Sequence, residues 1–221
     1  WDFINNRALF AQVDVGGVAN TPGWSFARAS VGYAETAAGV LVPFASGELR
    51  RTDKGVLVEG ARTNLALQSQ TFNNASWGKT NTAVTADAAA APDGSATADK
   101  STPSGSASGK ALTQAYTSTA ASYTVSCFAK ASGYGKIGIR ENTSSGSYAT
   151  FDLSGAGSVI STLTATATIR ALANGWYCCS MTYTGAAVSQ TIALYVLDAA
   201  FTSGSGSLHS YAYTADGSSG A

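Results

Sequence analysis

The sequence offers few side chains that could act in catalysis. His209 is the single histidine, and it stands in an alternating run beside Tyr211, with no G-x-S-x-G nucleophile motif in the chain. We therefore interpret His209 as a partly buried sheet residue and not as the base of a Ser-His-Asp triad. A zinc site is not predicted either, because this histidine has no partner at ligand spacing.

Carboxylate chemistry is weakly indicated as well. A glycosidase needs two carboxylates at a defined separation, but no pair of acidic residues here stands in a context that would tune a pKa. The glycine-rich residues 133–135 lack the Lys-Ser/Thr end of a phosphate loop. The sequence therefore predicts a protein that is not an enzyme. The acidic residues considered are Asp87, Asp93, Asp99, Glu141, Asp152, Asp198 and Asp216, together with Glu59.

Aromatic residues with polar neighbours favour a different chemistry, the binding of sugars. Trp and Tyr rings can stack on the apolar face of a pyranose at low entropic cost, while Arg, Asn and Asp hydrogen-bond its hydroxyl groups. Trp176, which follows a turn at Asn174, is expected in the core, and Tyr211 and Tyr213 form a second aromatic stripe. The alternative for each residue is packing inside the domain or at a subunit contact. The candidate sugar-binding residues are Trp77, Tyr134, Arg140, Asn142 and Tyr148, with Glu141 as a further polar neighbour.

The three cysteines have no C-x-x-C spacing. Cys178 and Cys179 are adjacent, so on a strand their side chains point to opposite faces. We expect all three to be small buried hydrophobic residues. One disulfide from Cys127 remains the alternative.

Charge is scarce in this chain. Of 221 residues, 12% are charged, about half the usual share, and 13 Lys+Arg balance 13 Asp+Glu. A neutral chain has no electrostatic basis for binding nucleic acid or an anionic membrane, and no apolar run is long enough to span a bilayer. A surface built from hydroxyl and amide groups suits a protein that packs against its own copies or faces sugars.

The charges are unevenly distributed along the chain. Residues 1–64 hold 12 of the 26 charges, and residues 65–221 hold 14 over more than twice the length. Residues 1–64 read as short extended pieces, including residues 39–42 and 55–59, broken by turns. Such a segment would struggle to bury its own core. We therefore predict an extended N-terminal arm over residues 1–64, followed by a separate domain over residues 65–221.

Residues 65–221 have the pattern of an all-β domain. Residues 123–127, 163–169, 176–183, 191–197 and 208–213 alternate with period two, and Gly/Ser/Asn-rich turns separate them. In residues 176–183 this places Tyr177, Cys179, Met181 and Tyr183 on one face. Residues 83–109 are low in complexity and are predicted as a loop with one or two short strands. This spacing predicts an antiparallel β-sandwich or jelly roll.

Several motifs resemble those of tailed-phage virion proteins: tail fibres, tail spikes, head spikes, and their prophage and gene-transfer-particle relatives. The first two are F-A-R-A-S at residues 26–30 and G-V-L-V-E-G-A-R-T-N-L at residues 55–65, which Ser69, Phe72 and Trp77 follow. The block at residues 62–65 is the most specific part, and the likeness covers residues 24–217. Further matching pieces lie at residues 91–94, 128–130, 151–153, 174–177 and 213–217.

The resemblance implies an extended arm leading into a jelly-roll sandwich that is similar to carbohydrate-binding modules. Two departures are present. The family often has S-A-T-Y where this chain has S-V-G-Y at residues 30–33, and its sandwich continues beyond the turn at Gly217. The final strand is therefore expected to be truncated or supplied elsewhere. Calcium is common in such modules, and Asp198 and Asp216 are its candidate ligands; no other cofactor is expected.

The R-T-N block is predicted to be a structural clasp between the arm and the sandwich. An Arg fork can clamp a carboxylate or several carbonyls, and Asn tolerates the tight backbone of a segment boundary. Glu59 is the expected ion partner of Arg62. The clasp therefore comprises Glu59, Arg62, Thr63 and Asn64.

Three hypotheses for the function remain. The first is a non-enzymatic spike or fibre component on the phage particle surface, whose partners are other virion proteins, its own copies in a trimer or ring, and a host-surface glycan. The second is an adaptor subunit that carries another receptor-binding protein. The third is an accessory carbohydrate-binding module of a secreted enzyme, which the R-T-N-L block disfavours. Neither nucleic acid nor a membrane is expected as a partner.

Overall fold

The protein is nearly all β. The computed structural model describes residues 27–57, 59, 63–142, 146–203 and 207–221, together with the backbones of two short strands at Arg7–Ala8 and Val13–Asp14. Strands pair in several antiparallel sheets, and the predicted all-β fold class is confirmed. Within the described residues, no helix is long and apolar enough to cross a membrane. The chain divides into two compact units, Trp1–Thr63 and Asn64–Ala221.

The described strands of the first unit pair as two-stranded hairpins. Among its described residues, Ala34 and Phe44 are the buried apolar side chains. Arg28 fastens the turn after the second hairpin, since its Nη2 donates to the carbonyls of Phe44 at 2.9 Å and Glu48 at 3.1 Å. The strands are β1 (Arg7–Ala8), β2 (Val13–Asp14), β3 (Gly32–Glu35), β4 (Leu41–Phe44), β5 (Arg51–Thr52) and β6 (Gly55–Val56).

The second unit is a sandwich of a six-stranded and a three-stranded sheet, with one further hairpin. The six-stranded sheet has the order β14-β13-β12-β17-β10-β7, the three-stranded sheet has the order β11-β16-β15, and β8 pairs with β9. The strands are β7 (Gly78–Thr80), β8 (Thr82–Ala89), β9 (Ala98–Pro103), β10 (Ala111–Thr117), β11 (Ala121–Ala129), β12 (Lys136–Glu141), β13 (Tyr148–Asp152), β14 (Ser158–Leu163), β15 (Ala165–Ala171), β16 (Tyr177–Gly185) and β17 (Ser189–Leu197).

The core lies between the inner faces of the two sheets. Strand β16 contributes the face that the alternating sequence predicted, which runs from Tyr177 through Cys179 and Met181 to Tyr183. This face packs against Ile139 and Phe151 of the six-stranded sheet. Cys179, Met181, Ile139 and Phe151 are fully buried. Burial of an Ile, Met or Phe side chain stabilises a fold by about 1.5–3 kcal/mol. The period-two pattern of the sequence therefore identified the strand and its buried face.

The outer face of the six-stranded sheet is partly covered by the chain that follows β17. Phe201 and Leu208 are buried on Tyr195 and Leu197 of β17. Leu208 lies directly over Gly138, where a β-carbon would come within 2.8 Å of the leucine Cδ1. The buried Lys110 also holds this segment, donating from Nζ to the carbonyl of Tyr213 at 2.7 Å. β17 is consequently buried on both faces.

Three predictions about these elements need correction. Residues 208–213 do not form a strand: residues 208–210 form a turn, and His209 is exposed and not partly buried in a sheet. Residues 83–109 were predicted to hold one or two short strands, but they form most of the hairpin of β8 and β9, whose strands are eight and six residues long. The run at residues 163–169 is divided at Thr164, whose φ of 46° ends β14 before β15 begins.

The expectation that Trp176 is in the core is confirmed, since it is 8% exposed.

Candidate functional site

Three of the predicted sugar-binding residues lie on one face of the six-stranded sheet. Arg140 of β12 is directly opposite Tyr148 of β13. Asn142 extends β12, because its N–H donates to the carbonyl of Thr191 at 2.8 Å. Ile139 points into the core, so the alternating residues Arg140 and Asn142 are placed on the outer face. We call Arg140, Asn142 and Tyr148 the arginine–tyrosine face.

The side chains of this face differ in how far they are open to solvent. Asn142 is exposed, and Tyr148 is half-buried against the cluster around Phe201. Nε and Nη1 of Arg140 are shielded, and neither has a hydrogen-bond partner in the described part of the chain. The partly open ring of Tyr148 can stack on a sugar ring, and the exposed amide of Asn142 beside it can hydrogen-bond the sugar's oxygen atoms.

Trp77 does not belong to a binding face, which corrects the prediction. It is 3% exposed and packs in a core cluster with Leu112 and Ile192. Its ring meets Phe72 edge-on at 4.9 Å, and its Nε1 donates to the carbonyl of Gln68 at 3.0 Å. The indole is thus used in packing and not in ligand contact.

Tyr134 lies before the start of β12, whereas Asn142 lies beyond its end. Its ring packs edge-on against Tyr213 at 5.5 Å, and its hydroxyl accepts the N–H of Asp216 at 3.1 Å. Tyr134 therefore holds the C-terminal turn and is not brought together with the arginine–tyrosine face.

The residues of the predicted clasp are only partly described. Arg62 lies outside the described residues. Glu59 pairs with Arg50, with its Oε2 2.7 Å from Nη2. Thr63 is exposed. Asn64 makes a local turn, accepting the N–H of Ala66 at 3.0 Å and donating to Oγ of Ser69 at 3.0 Å.

The segment after Asn64 is fixed to the sandwich by one buried amide. Gln114 of β10 is 5% exposed. Its Oε1 accepts the N–H of Leu67 at 2.6 Å, while its Nε2 donates to the carbonyls of Leu67 at 2.9 Å and Ser76 at 3.2 Å. The glutamine thus joins the start of the unit to its six-stranded sheet.

The two candidate calcium ligands serve as hydrogen-bond acceptors. Asp198 accepts the hydroxyl of Tyr211 at 2.5 Å. Asp216 accepts the hydroxyl of Ser219 and the N–H groups of Ser218 and Ser219, and these bonds, the hydroxyl first, lower the pKa of Asp216 to about 2. Across the described ranges, no three His, Cys, Asp or Glu side chains form a group that could hold a metal ion.

All three cysteines are free thiols. Cys127 and Cys179 are direct partners on β11 and β16, on the face that packs against the core, while Cys178 alternates to the other face. Burial raises the pKa of Cys127 to about 12 and also raises that of Cys179. Cys127 and Cys179 act as packing residues, whereas Cys178 is half-buried on the outer face, against the expectation that all three are buried. The disulfide alternative is not realised.

The structure also exposes a polar surface that sequence reasoning missed. The outer side of β11, β16 and β15 presents Ser and Thr at alternate positions, in register across all three strands. The signal was present in the sequence as three separate runs of alternating hydroxyl residues. Only the pairing of the strands reveals that the runs lie side by side.

Neither a protein-family model nor a curated protein sequence matches this chain. The resemblance to tailed-phage virion proteins therefore stays a prediction made from the motifs.

Proposed function

We propose that this protein is a structural component of a tailed-phage virion, a spike or fibre subunit on the particle surface, whose β-sandwich contacts host-surface glycans. Its N-terminal unit attaches to other virion proteins or to neighbouring copies. The proposed assembly is a homo-oligomer, a trimer or a ring, because weak sugar contacts gain from multivalency.

The arginine–tyrosine face is the observation that supports glycan contact. Arg140 and Tyr148 are paired across two hydrogen-bonded strands, and Asn142 follows Arg140 on the same side. Because strand register fixes these positions, binding a sugar there requires little ordering of backbone. Tyr148 offers part of an aromatic ring, and the exposed amide of Asn142 offers both donors and acceptors.

Several carboxylates already accept structural hydrogen bonds, and this supports a binding protein in preference to an enzyme. Asp99 accepts three backbone N–H groups, from Phe72 at 2.6 Å, Asn73 at 3.3 Å and Asp87 at 3.1 Å. Asp198 and Asp216 have the structural partners described above. A carboxylate that holds a loop in this way is poorly suited to act as a general acid or nucleophile.

Binding of the purified chain to host cells and to an array of bacterial surface glycans tests the proposal. We expect binding to at least one host glycan, with no reducing ends released on prolonged incubation. Absence of binding to every host glycan would contradict glycan contact and favour the adaptor hypothesis. Released sugar would contradict the non-enzymatic assignment.

A further inference from the structure

The outer side of the three-stranded sheet is a regular array of hydroxyl groups. We call it the hydroxyl face. Two rows cross all three strands: Thr124, Thr182 and Thr166 form one, and the next contains Ser126, Ser180 and Thr168. A third row, formed by Ser122 and Thr184, continues the array on β11 and β16.

Hydrogen bonds between neighbours hold these hydroxyl groups in place. The Oγ1 atoms of Thr124 and Thr182 are 2.8 Å apart, and so are the Oγ atoms of Ser126 and Ser180. Each hydroxyl has one donor and two acceptor positions, so capacity remains for a ligand. Strand geometry spaces the array at about 4.8 Å across strands and about 7 Å along them.

One exposed aromatic side chain borders the array. Phe128 lies in the row after Ser126, beside Cys178 and then Arg170. Phe128 is 47% exposed. A solvent-facing ring at the end of a flat hydroxyl surface is a stacking platform for the apolar face of a sugar.

The composition of this face selects among classes of partner. All eight hydroxyl residues are uncharged, and Arg170 lies outside the array, in the row of Phe128. The array itself therefore gives no electrostatic attraction to nucleic acid or to an acidic polymer. Protein–protein interface cores are enriched in aromatic residues and depleted of serine, which disfavours a second copy of the chain. A neutral polyhydroxylated polymer matches the face in charge and in hydrogen-bonding groups.

We propose that the hydroxyl face, with Phe128, binds a neutral polysaccharide. The ligand chain lies across the rows, exchanging hydrogen bonds with the threonine and serine hydroxyls while one sugar ring stacks on Phe128. The inference rests on the proposed function in requiring a glycan, but it assigns a different face and a specific sugar class. Since no ion pair is involved, binding at this face is insensitive to salt.

The inference is tested by affinity electrophoresis and pull-down with the neutral polysaccharides dextran, mannan and cellulose. An acidic polysaccharide such as alginate is measured for comparison. Thr124→Lys with Thr168→Lys places two charged side chains on exposed edge positions, and Thr124→Val with Thr168→Val removes only hydroxyls. Thr85→Lys, on the exposed side of β8, is the matched control. Thermal unfolding verifies that each variant folds.

We expect at least one neutral polysaccharide to bind equally at about 0.05 and 0.5 M salt. The Lys pair should weaken that binding at least about tenfold and the Val pair severalfold, while Thr85→Lys has no effect.

Glycan binding that responds to Tyr148→Ala but not to the Thr variants, or that requires an acidic polymer, would overturn this inference and leave the proposed function standing. Failure to bind any glycan would overturn both. A change in oligomeric state without a change in binding would assign the face to a second copy instead.

Discussion

Arg140 on β12 and Tyr148 on β13 are direct cross-strand partners on the outer side of the six-stranded sheet. Side chains so paired are neighbours, with β-carbons about 4.5–5.5 Å apart. Their proximity therefore follows from the hydrogen-bonded ladder and not from the conformation of the loop between them. Such a pair is a better-defined ligand contact than two residues on separate loops.

The amide of Gln114 should contribute strongly to the stability of the sandwich. Gln114→Ala leaves the N–H and carbonyl of Leu67 and the carbonyl of Ser76 without this partner. We expect the free energy of unfolding to fall by about 2–4 kcal/mol. Urea unfolding measures the change, and Gln70→Ala, at an exposed position, is the control that should leave stability unaltered. A loss as small as that of the control would show that Gln114 does not fasten the segment.

Because Gly138 is closely packed, adding a methyl group at this position should lower the free energy of unfolding. In Gly138→Ala the new β-carbon meets Leu208, whereas at Gly135 it meets no atom within 4 Å. We expect Gly138→Ala to lower the free energy of unfolding by about 1–3 kcal/mol and Gly135→Ala to have little effect. Equal effects in denaturant unfolding of the two variants would contradict the packing of residue 208 on the sheet.

Alkaline pH should destabilise the fold through its buried acids. Burial raises the pKa of Cys127 from 9.0 to about 12, and burial with the Asp198 contact raises that of Tyr211 from 10.0 to about 12. The folded protein therefore retains protons that the unfolded chain releases, so the free energy of unfolding falls as pH rises from about 9 to 12. Urea unfolding at a series of pH values measures this slope, and Cys127→Val should reduce it. A slope unaltered by the substitution would contradict burial of this thiol.

Much of the fold was predictable because strand alternation is local. The residues of β16 that pack in the core, Tyr177 to Tyr183, follow directly from the sequence. Residues 208–213 alternate similarly but pack as a covering turn, because Leu208 and Phe201 bury themselves on a sheet face that is distant in sequence. Period two alone cannot distinguish these cases.

The candidate site was predictable only in part, for a related reason. The proximity of residues 140, 142 and 148 follows from a hairpin, which is a local element. The burial of Trp77 depends on Leu112 and Ile192, which are distant in sequence. The hydroxyl face depends on the register of three strands, and β11 is separated from its partner β16 by four intervening strands.

Glycan contact at the arginine–tyrosine face is tested most directly by measuring affinity for the host glycan. The purified chain is compared with three variants. Asn142→Ala and Tyr148→Ala each remove a proposed ligand contact, and Asn73→Ala is a matched exposed control. We predict that each of the first two weakens binding about fivefold or more, the loss of about 1 kcal/mol, while Asn73→Ala binds like the unmodified protein. Unchanged affinity in both Asn142→Ala and Tyr148→Ala would contradict the assignment of this face to glycan binding.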